Sequence, residues 1–208
     1  GVLIAAHPQD VIHREFVAEN ILLGPVPGRT FKAKILDVVV ALPRNTSTRL
    51  TSSGDVFGTP AYMSPDQAVG DREIGQTADL YSLGVLLFEM LTGELPFQQS
   101  SSLKMMVAHI EKDPPRLSEA TEGAYPDPLD QLVLNLLAKS PDDRPHSGDV
   151  LRDRIEAVRE QQGWSSIDLD TEQLATETFQ PWIDGTEAPA RESSVPADES
   201  RDNDMSVE

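Results

Sequence analysis

Thr77-Ala78-Asp79-Leu80-Tyr81-Ser82-Leu83-Gly84-Val85-Leu86-Leu87-Phe88-Glu89-Met90-Leu91-Thr92-Gly93 carries apolar residues on nearly every side of a helical projection. A surface helix keeps one polar stripe, whereas a helix apolar all round belongs in the middle of a domain. The stretch therefore predicts a buried central helix, with Gly93 as its C-terminal cap. Working outward, Ser101 or Ser102 caps a helix running to about Lys112, which Pro114 and Pro115 stop. Leu129, Leu132, Val133, Leu136 and Leu137 recur at helical spacing, and the Pro141 region ends that segment. Ser147 caps a last helix containing Val150, Leu151, Ile155 and Val158. Before the central helix, Val11-Ile12-His13, Ile21-Leu22-Leu23 and Lys34-Ile35-Leu36 read as short strands, the last two joined by Gly24-Pro25-Val26-Pro27-Gly28. Residues 41 to 55 read as a polar loop rich in Ser and Thr. The expected architecture is mainly α with a short β-ribbon near the N-terminus.

Composition narrows the function classes. The 208 residues suffice for one sizeable domain and a tail. No cysteine is present, so disulfides and thiolate metal sites are out, and a reducing, cytoplasmic setting is expected. No apolar run approaches the ~20 residues of a membrane span; the nearest, Leu83 to Leu91, is interrupted by Glu89. Gly1 to Ala6 lack the basic flank and apolar length of a signal peptide. The first residue is Gly rather than Met, which suggests a processed, excerpted or truncated product. Formal net charge is −18, and 12 Asp/Glu against 2 Arg fall between Gly163 and Glu208. An acidic chain without a basic stripe is a poor partner for nucleic acid or anionic membrane. Residues 163–208, with Pro181, Pro189 and Pro196 among acid groups and few apolar anchors, are expected to form a disordered tail. Trp164, Phe179 and Trp182 leave room there for a short docking element.

Chemistry concentrates upstream of the central helix. Val11-Ile12-His13-Arg14-Glu15-Phe16-Val17-Ala18-Glu19-Asn20 is followed by Lys34-Ile35-Leu36-Asp37-Val38-Val39. Further on stand Gly58-Thr59-Pro60-Ala61-Tyr62-Met63-Ser64-Pro65-Asp66, then Asp79-Leu80-Tyr81-Ser82-Leu83-Gly84, then Leu137-Ala138-Lys139-Ser140-Pro141-Asp142-Asp143-Arg144-Pro145. In this order and spacing, the five segments resemble the C-terminal lobe of bacterial-type serine/threonine protein kinases, over residues 1 to about 160. That family carries H-R-D-L-x-x-x-N and D-F-G. Here the patterns read His13-Arg14-Glu15-Phe16-x-x-x-Asn20 and Asp37-Val38-Val39. The resemblance implies a kinase-like C-terminal lobe over 1–162, from the α+β protein-kinase fold, followed by the acidic tail. The G-x-G-x-x-G-x-V loop and V-A-I-K lysine of the upper lobe do not occur in the sequence, so the resemblance covers only the floor of an ATP cleft.

The resemblance also implies roles. Asn20 and Asp37 match the two side chains that hold Mg²⁺, and both are hard oxygen donors. Leu22 matches an adenine-floor residue, so ATP and Mg²⁺ are the expected cofactors if a nucleotide site survives. Glu15 stands where the family has its catalytic Asp; the extra methylene displaces the carboxylate by about 1 Å, which can cost on the order of 100-fold. Val17 replaces a Lys that contacts the γ-phosphate, and losing one such donor costs roughly 100- to 1,000-fold. Val38 and Val39 replace Phe and Gly, which restricts the backbone. Thr59 matches a threonine near the catalytic carboxylate, associated with Ser/Thr specificity. Thr51 or Ser53 is the expected phosphoacceptor of the activation loop, its phosphate pairing with Arg14. Asp79 resembles the buried helix Asp that holds the catalytic-loop backbone, Asp66 replaces a Glu that pairs with Arg144, and His13 resembles a packing histidine. The remaining histidines, His7, His109 and His146, form no metal-site spacing.

Three functional readings stay open at this point. One is a degenerate, pseudokinase-like lobe that binds a protein substrate or partner. The second is an active Ser/Thr kinase completed by an upper lobe supplied elsewhere. The third is a truncated remnant without function.

Overall fold

The computed structural model describes residues 1–26, 29–36, 59–71 and 73–164, with side chains described for these except 25, 26 and 29–32. Asp37, Val38, Val39, Thr51, Ser53, the loop 41–55 and the tail from 165 onward lie outside the described residues. Helix α1 spans Val2–Ala6, strands β1 and β2 span Ile21–Val26 and Arg29–Ile35, and the remaining regular elements are helices. They include α2 (Pro65–Ala68), α3 (Gln76–Thr92), α4 (Ser102–Glu111), α5 (Leu117–Ala120), α6 (Asp127–Leu136) and α7 (Gly148–Gln161). The chain is thus mainly α with a two-stranded ribbon near its start.

Helix α3 is the axis of the core. Ala78, Leu80, Tyr81, Val85, Leu86 and Phe88 are buried on it and meet Leu117, Leu132, Val133, Leu136 and Leu151 from α5, α6 and α7. Its apolar circumference is the cause: burial of large side chains, each worth about 1.5–3 kcal/mol, proceeds on most of its faces, with Leu83, Leu87 and Leu91 partly buried and Met90 exposed. Where α3 crosses α6, Gly84 lets the backbones close; a Cβ there would stand 2.6 Å from Leu136 Cβ. Gly93, at φ +78°, ends α3 in the left-handed conformation and donates its N–H to the Glu89 carbonyl. Ser101 and Ser147 cap α4 and α7 by accepting the N–H groups of Lys104 and Val150. α4 stops at Glu111, ahead of Pro114 and Pro115.

Two sequence expectations need correction. Val11-Ile12-His13 is not a strand but an irregular segment, because the His13 amide goes to the Asp79 carboxylate rather than to a neighbouring strand. The connection between the ribbon strands is also shorter than expected. β1 continues through Gly24-Pro25-Val26, and the register jumps between Gly24 and Val26, where the missing N–H of Pro25 does no harm. The apolar N-terminal run, which the sequence leaves without an assigned structure, forms α1. It buries Leu3 and lays Ile4 against Gly148 at the start of α7.

Candidate functional site

The segment Val11–Asn20 has little regular structure, so its shape depends on side chains from elsewhere. Asp79, fully buried near the start of α3, organises it. Asp79 Oδ2 accepts the His13 N–H at 2.9 Å and faces His7 Nε2 at 3.0 Å, while Oδ1 accepts the Arg14 N–H at 2.8 Å. Arg14 sits at φ +64°, a left-handed conformation that a non-glycine residue adopts at a cost of roughly 1–2 kcal/mol. Both of its backbone groups are clamped, since its carbonyl accepts Gln67 Nε2 at 2.9 Å. Gln67 is itself locked in a capping box with Ser64 at the start of α2. His13 is buried edge-on to Phe16 and donates from Nε2 to the Leu36 carbonyl at 3.1 Å.

The loop is closed at its far end by Asn20. Its Nδ2 donates to the Glu15 carbonyl at 3.0 Å, and its own carbonyl accepts the Leu36 N–H at 2.7 Å. Asn20 thus ties the loop to the end of β2, one residue before Asp37. With Nδ2 so used, Oδ1 is the Asn20 atom that suits a metal ion, and a neutral amide oxygen is a donor that Mg²⁺ accepts. Among the described residues no group of three or more His, Cys, Asp or Glu side chains is arranged to hold a metal.

Glu15 is half-buried, and its neighbours Phe16 and Val17 are buried in the main core. Val17 is only 5% exposed. Leu22, by contrast, is 52% exposed on the ribbon. Thr59 is exposed at the head of the short turn Pro60–Tyr62. The structure therefore gathers His13, Arg14, Glu15 and Asn20 in one loop, held from α3 by Asp79. It leaves Leu22 and Thr59 on the surface.

Behind the loop, Arg144 is buried and donates to Asp66 Oδ1 at 2.6 Å and to the carbonyls of Thr77, Ala138 and Lys139. Its guanidinium lies 5.0 Å from the Tyr81 ring centroid. Tyr62 hydrogen-bonds Glu89 Oε2 at 2.5 Å, and burial, reinforced by that bond, raises its phenol pKa. Sequence reasoning gave no role to His7, Gln67 or His109. His7 and Gln67 reach the loop across long sequence separations, and no local pattern carries that information.

His109 is a strongly perturbed imidazole. Burial, opposed by its bond to the Ala61 carbonyl and aided by the charge of Lys139, holds its pKa down to about 4. The groups facing it are Tyr81 from α3 and Lys139 from the stretch after α6. Because the folded value lies below the unfolded one near 6.5, the stabilisation is complete above about pH 6.5. It is lost as pH falls from there toward 4, by about 3 kcal/mol in all. His109→Gln removes that proton uptake. Denaturant titrations at pH 7 and pH 4 are expected to show the wild type losing about 3 kcal/mol more than this variant, and equal losses would refute the assignment.

Comparison with known proteins agrees with this geometry. Residues 2–155 match the protein kinase domain. The serine/threonine-protein kinase pkn3 of Myxococcus xanthus is 35% identical over 162 residues, which cover 76% of this chain and 29% of that protein. PknB of Mycobacterium leprae is 37% identical over 147 residues, covering 71% and 23%. PknL of Mycobacterium tuberculosis is 35% identical over 161 residues, covering 77% and 39%. The chain spans well under half the length of these relatives. An Asp79-latched loop bearing His13-Arg14 and Asn20, braced by the Asp66–Arg144 pair and matched along its length by such relatives, places the chain in the protein kinase family, on its bacterial serine/threonine side.

Proposed function

We propose that this chain is a serine/threonine kinase lobe with impaired phosphotransfer, whose retained role is to bind a protein substrate or partner. The observation that carries this is the burial of Val17 in the core beside Phe16. The family presents a cationic head to the γ-phosphate from that position, and a buried valine offers neither charge nor donor. Glu15 adds a second defect, a base on too long a stem. The two losses need not multiply, because such groups act as a unit. Leu103 and Val107, 64% and 40% exposed and one turn apart on α4, support a protein-binding role.

The scaffold around these positions supports a residual nucleotide site. Asn20 Oδ1 and Asp37 would hold Mg²⁺, which would neutralise phosphate charge when ATP is bound. Among the described residues Arg14 Nε is buried without a hydrogen-bond partner, which suits an anion such as a phosphate on Thr51 or Ser53. The lobe is taken to run from 1 to 162, with 163–208 as a separate acidic tail. A slow but active kinase is the second reading, favoured by the clamped loop.

Phosphotransfer from Mg-ATP to a generic basic-protein substrate, measured on the protein completed with an upper lobe donated by a related kinase, tests the proposal. The wild type is expected to fall at least about 100-fold below the roughly 1–100 per second of kinases. Glu15→Asp/Val17→Lys is expected to raise the rate by at least on the order of 100-fold. A wild-type rate within the ordinary range, or a double variant no faster than the wild type, would sink it.

A further inference from the structure

We propose that His109 is a positioning residue: its Nε2–H holds the Ala61 carbonyl and so fixes the Thr59–Met63 segment against α4, with Tyr81 setting the tautomer that allows this. The functional weight of the clamp rests on the reading of Thr59 given above; its existence does not.

The segment cannot hold itself. Pro60–Tyr62 is a single 3₁₀ turn, and the carbonyls of Thr59 and Pro60 are used internally by the N–H groups of Tyr62 and Met63. Within the turn two carbonyls remain, those of Ala61 and Tyr62, and each needs a donor from outside. Ser82 Oγ on α3 reaches the Tyr62 carbonyl at 2.8 Å, and His109 Nε2 on α4 reaches the Ala61 carbonyl at 3.0 Å. The Ser82 hydroxyl is shared with the Ala78 carbonyl of its own helix. His109 is therefore the bond that ties the segment to α4.

The proton's position follows from the partners. A carbonyl only accepts, so Nε2 must carry the hydrogen. In a neutral ring Nδ1 is then bare and accepts from the Tyr81 hydroxyl, 2.9 Å away. Burial keeps the ring neutral at ordinary pH. Phe97 and Tyr81 pack edge-on against the imidazole at 5.1 and 5.7 Å. Lys139 Nζ, 4.7 Å from the Phe97 ring centroid, donates to the His109 carbonyl at 2.8 Å. Ring and backbone are thus both held, and the Nε2–H bond vector is aimed at Ala61 by groups from three other parts of the lobe.

A merely space-filling histidine would behave differently from a donor. Gln carries an amide nitrogen about as far from the backbone as Nε2, while Asn is one carbon too short to reach Ala61. The test uses the ¹⁵N-labelled chain without nucleotide. Long-range ¹H–¹⁵N correlation of the His109 ring is expected to show Nε2 protonated and Nδ1 bare. Amide exchange at Tyr62 and Met63 is expected to speed up on the order of tenfold in His109→Asn, as for one lost hydrogen bond, and to stay near wild type in His109→Gln. Exchange in Gly148–Gln161 serves as the control and is expected not to change. A protonated Nδ1 in the wild type overturns the proposal without any variant. So does equal exchange at Tyr62 and Met63 in the Gln and Asn variants, or acceleration spread evenly into the last helix. None of these readouts needs phosphotransfer, so failure of the kinase reading leaves them standing.

Discussion

Asp79→Asn is expected to destabilise the lobe by about 3–5 kcal/mol and to release the His13–Arg14 loop. The carboxylate is fully buried, accepts two backbone N–H bonds and faces His7 Nε2. Bonds to a charged acceptor contribute roughly 1.5–3 kcal/mol each. An amide keeps one acceptor oxygen and turns an NH₂ toward groups that themselves need an acceptor, so at least one buried donor is left unmet. The left-handed Arg14 then loses the clamp on its N–H, and its strain works against the native loop. For a domain of this size the melting temperature is expected to fall on the order of 10 °C. Exchange of the His13 and Arg14 amides should rise more than that of amides in α6. An unchanged melting temperature would show that Asp79 does not hold the loop.

Arg144→Met is expected to cost a further class of energy, about 3–5 kcal/mol, through the charge it strands. Methionine fills the stem's volume but leaves the Asp66 carboxylate buried and unpaired, together with the carbonyls of Thr77, Ala138 and Lys139. Breaking a buried pair on one side is far costlier than the net worth of the pair. Asp66→Asn placed on top of Arg144→Met should therefore recover part of the loss, because the stranded charge is gone. Chemical denaturation of the two single variants and the double variant reads this directly. A double variant no more stable than Arg144→Met alone would contradict it.

Both predictions concern residues that the sequence singles out by resemblance without revealing their geometry. The central helix was legible because an apolar circumference has one physical outcome. The caps at Gly93, Ser101 and Ser147 were legible because capping is local chemistry, settled within four residues. Val11–His13 misled because a short apolar run reads as a strand until a carboxylate 66 residues away takes its amide. The N-terminal helix was missed because five residues have no helical stability of their own and owe their form to packing on α7. His109 was invisible for the same reason as His7: a lone histidine on an apolar face says nothing about which rings and carbonyls will surround it.

The central claim is a loop whose scaffold stands while its hold on the γ-phosphate is gone. Calorimetric titration of the whole protein with Mg-ATP and with Mg-ADP tests it most directly. The expected result is binding of both in the micromolar to millimolar range, with affinities within about threefold of each other, since nothing at Val17 engages the extra phosphate. A preference for Mg-ATP of about tenfold or more, or no binding of either to folded protein, would contradict it.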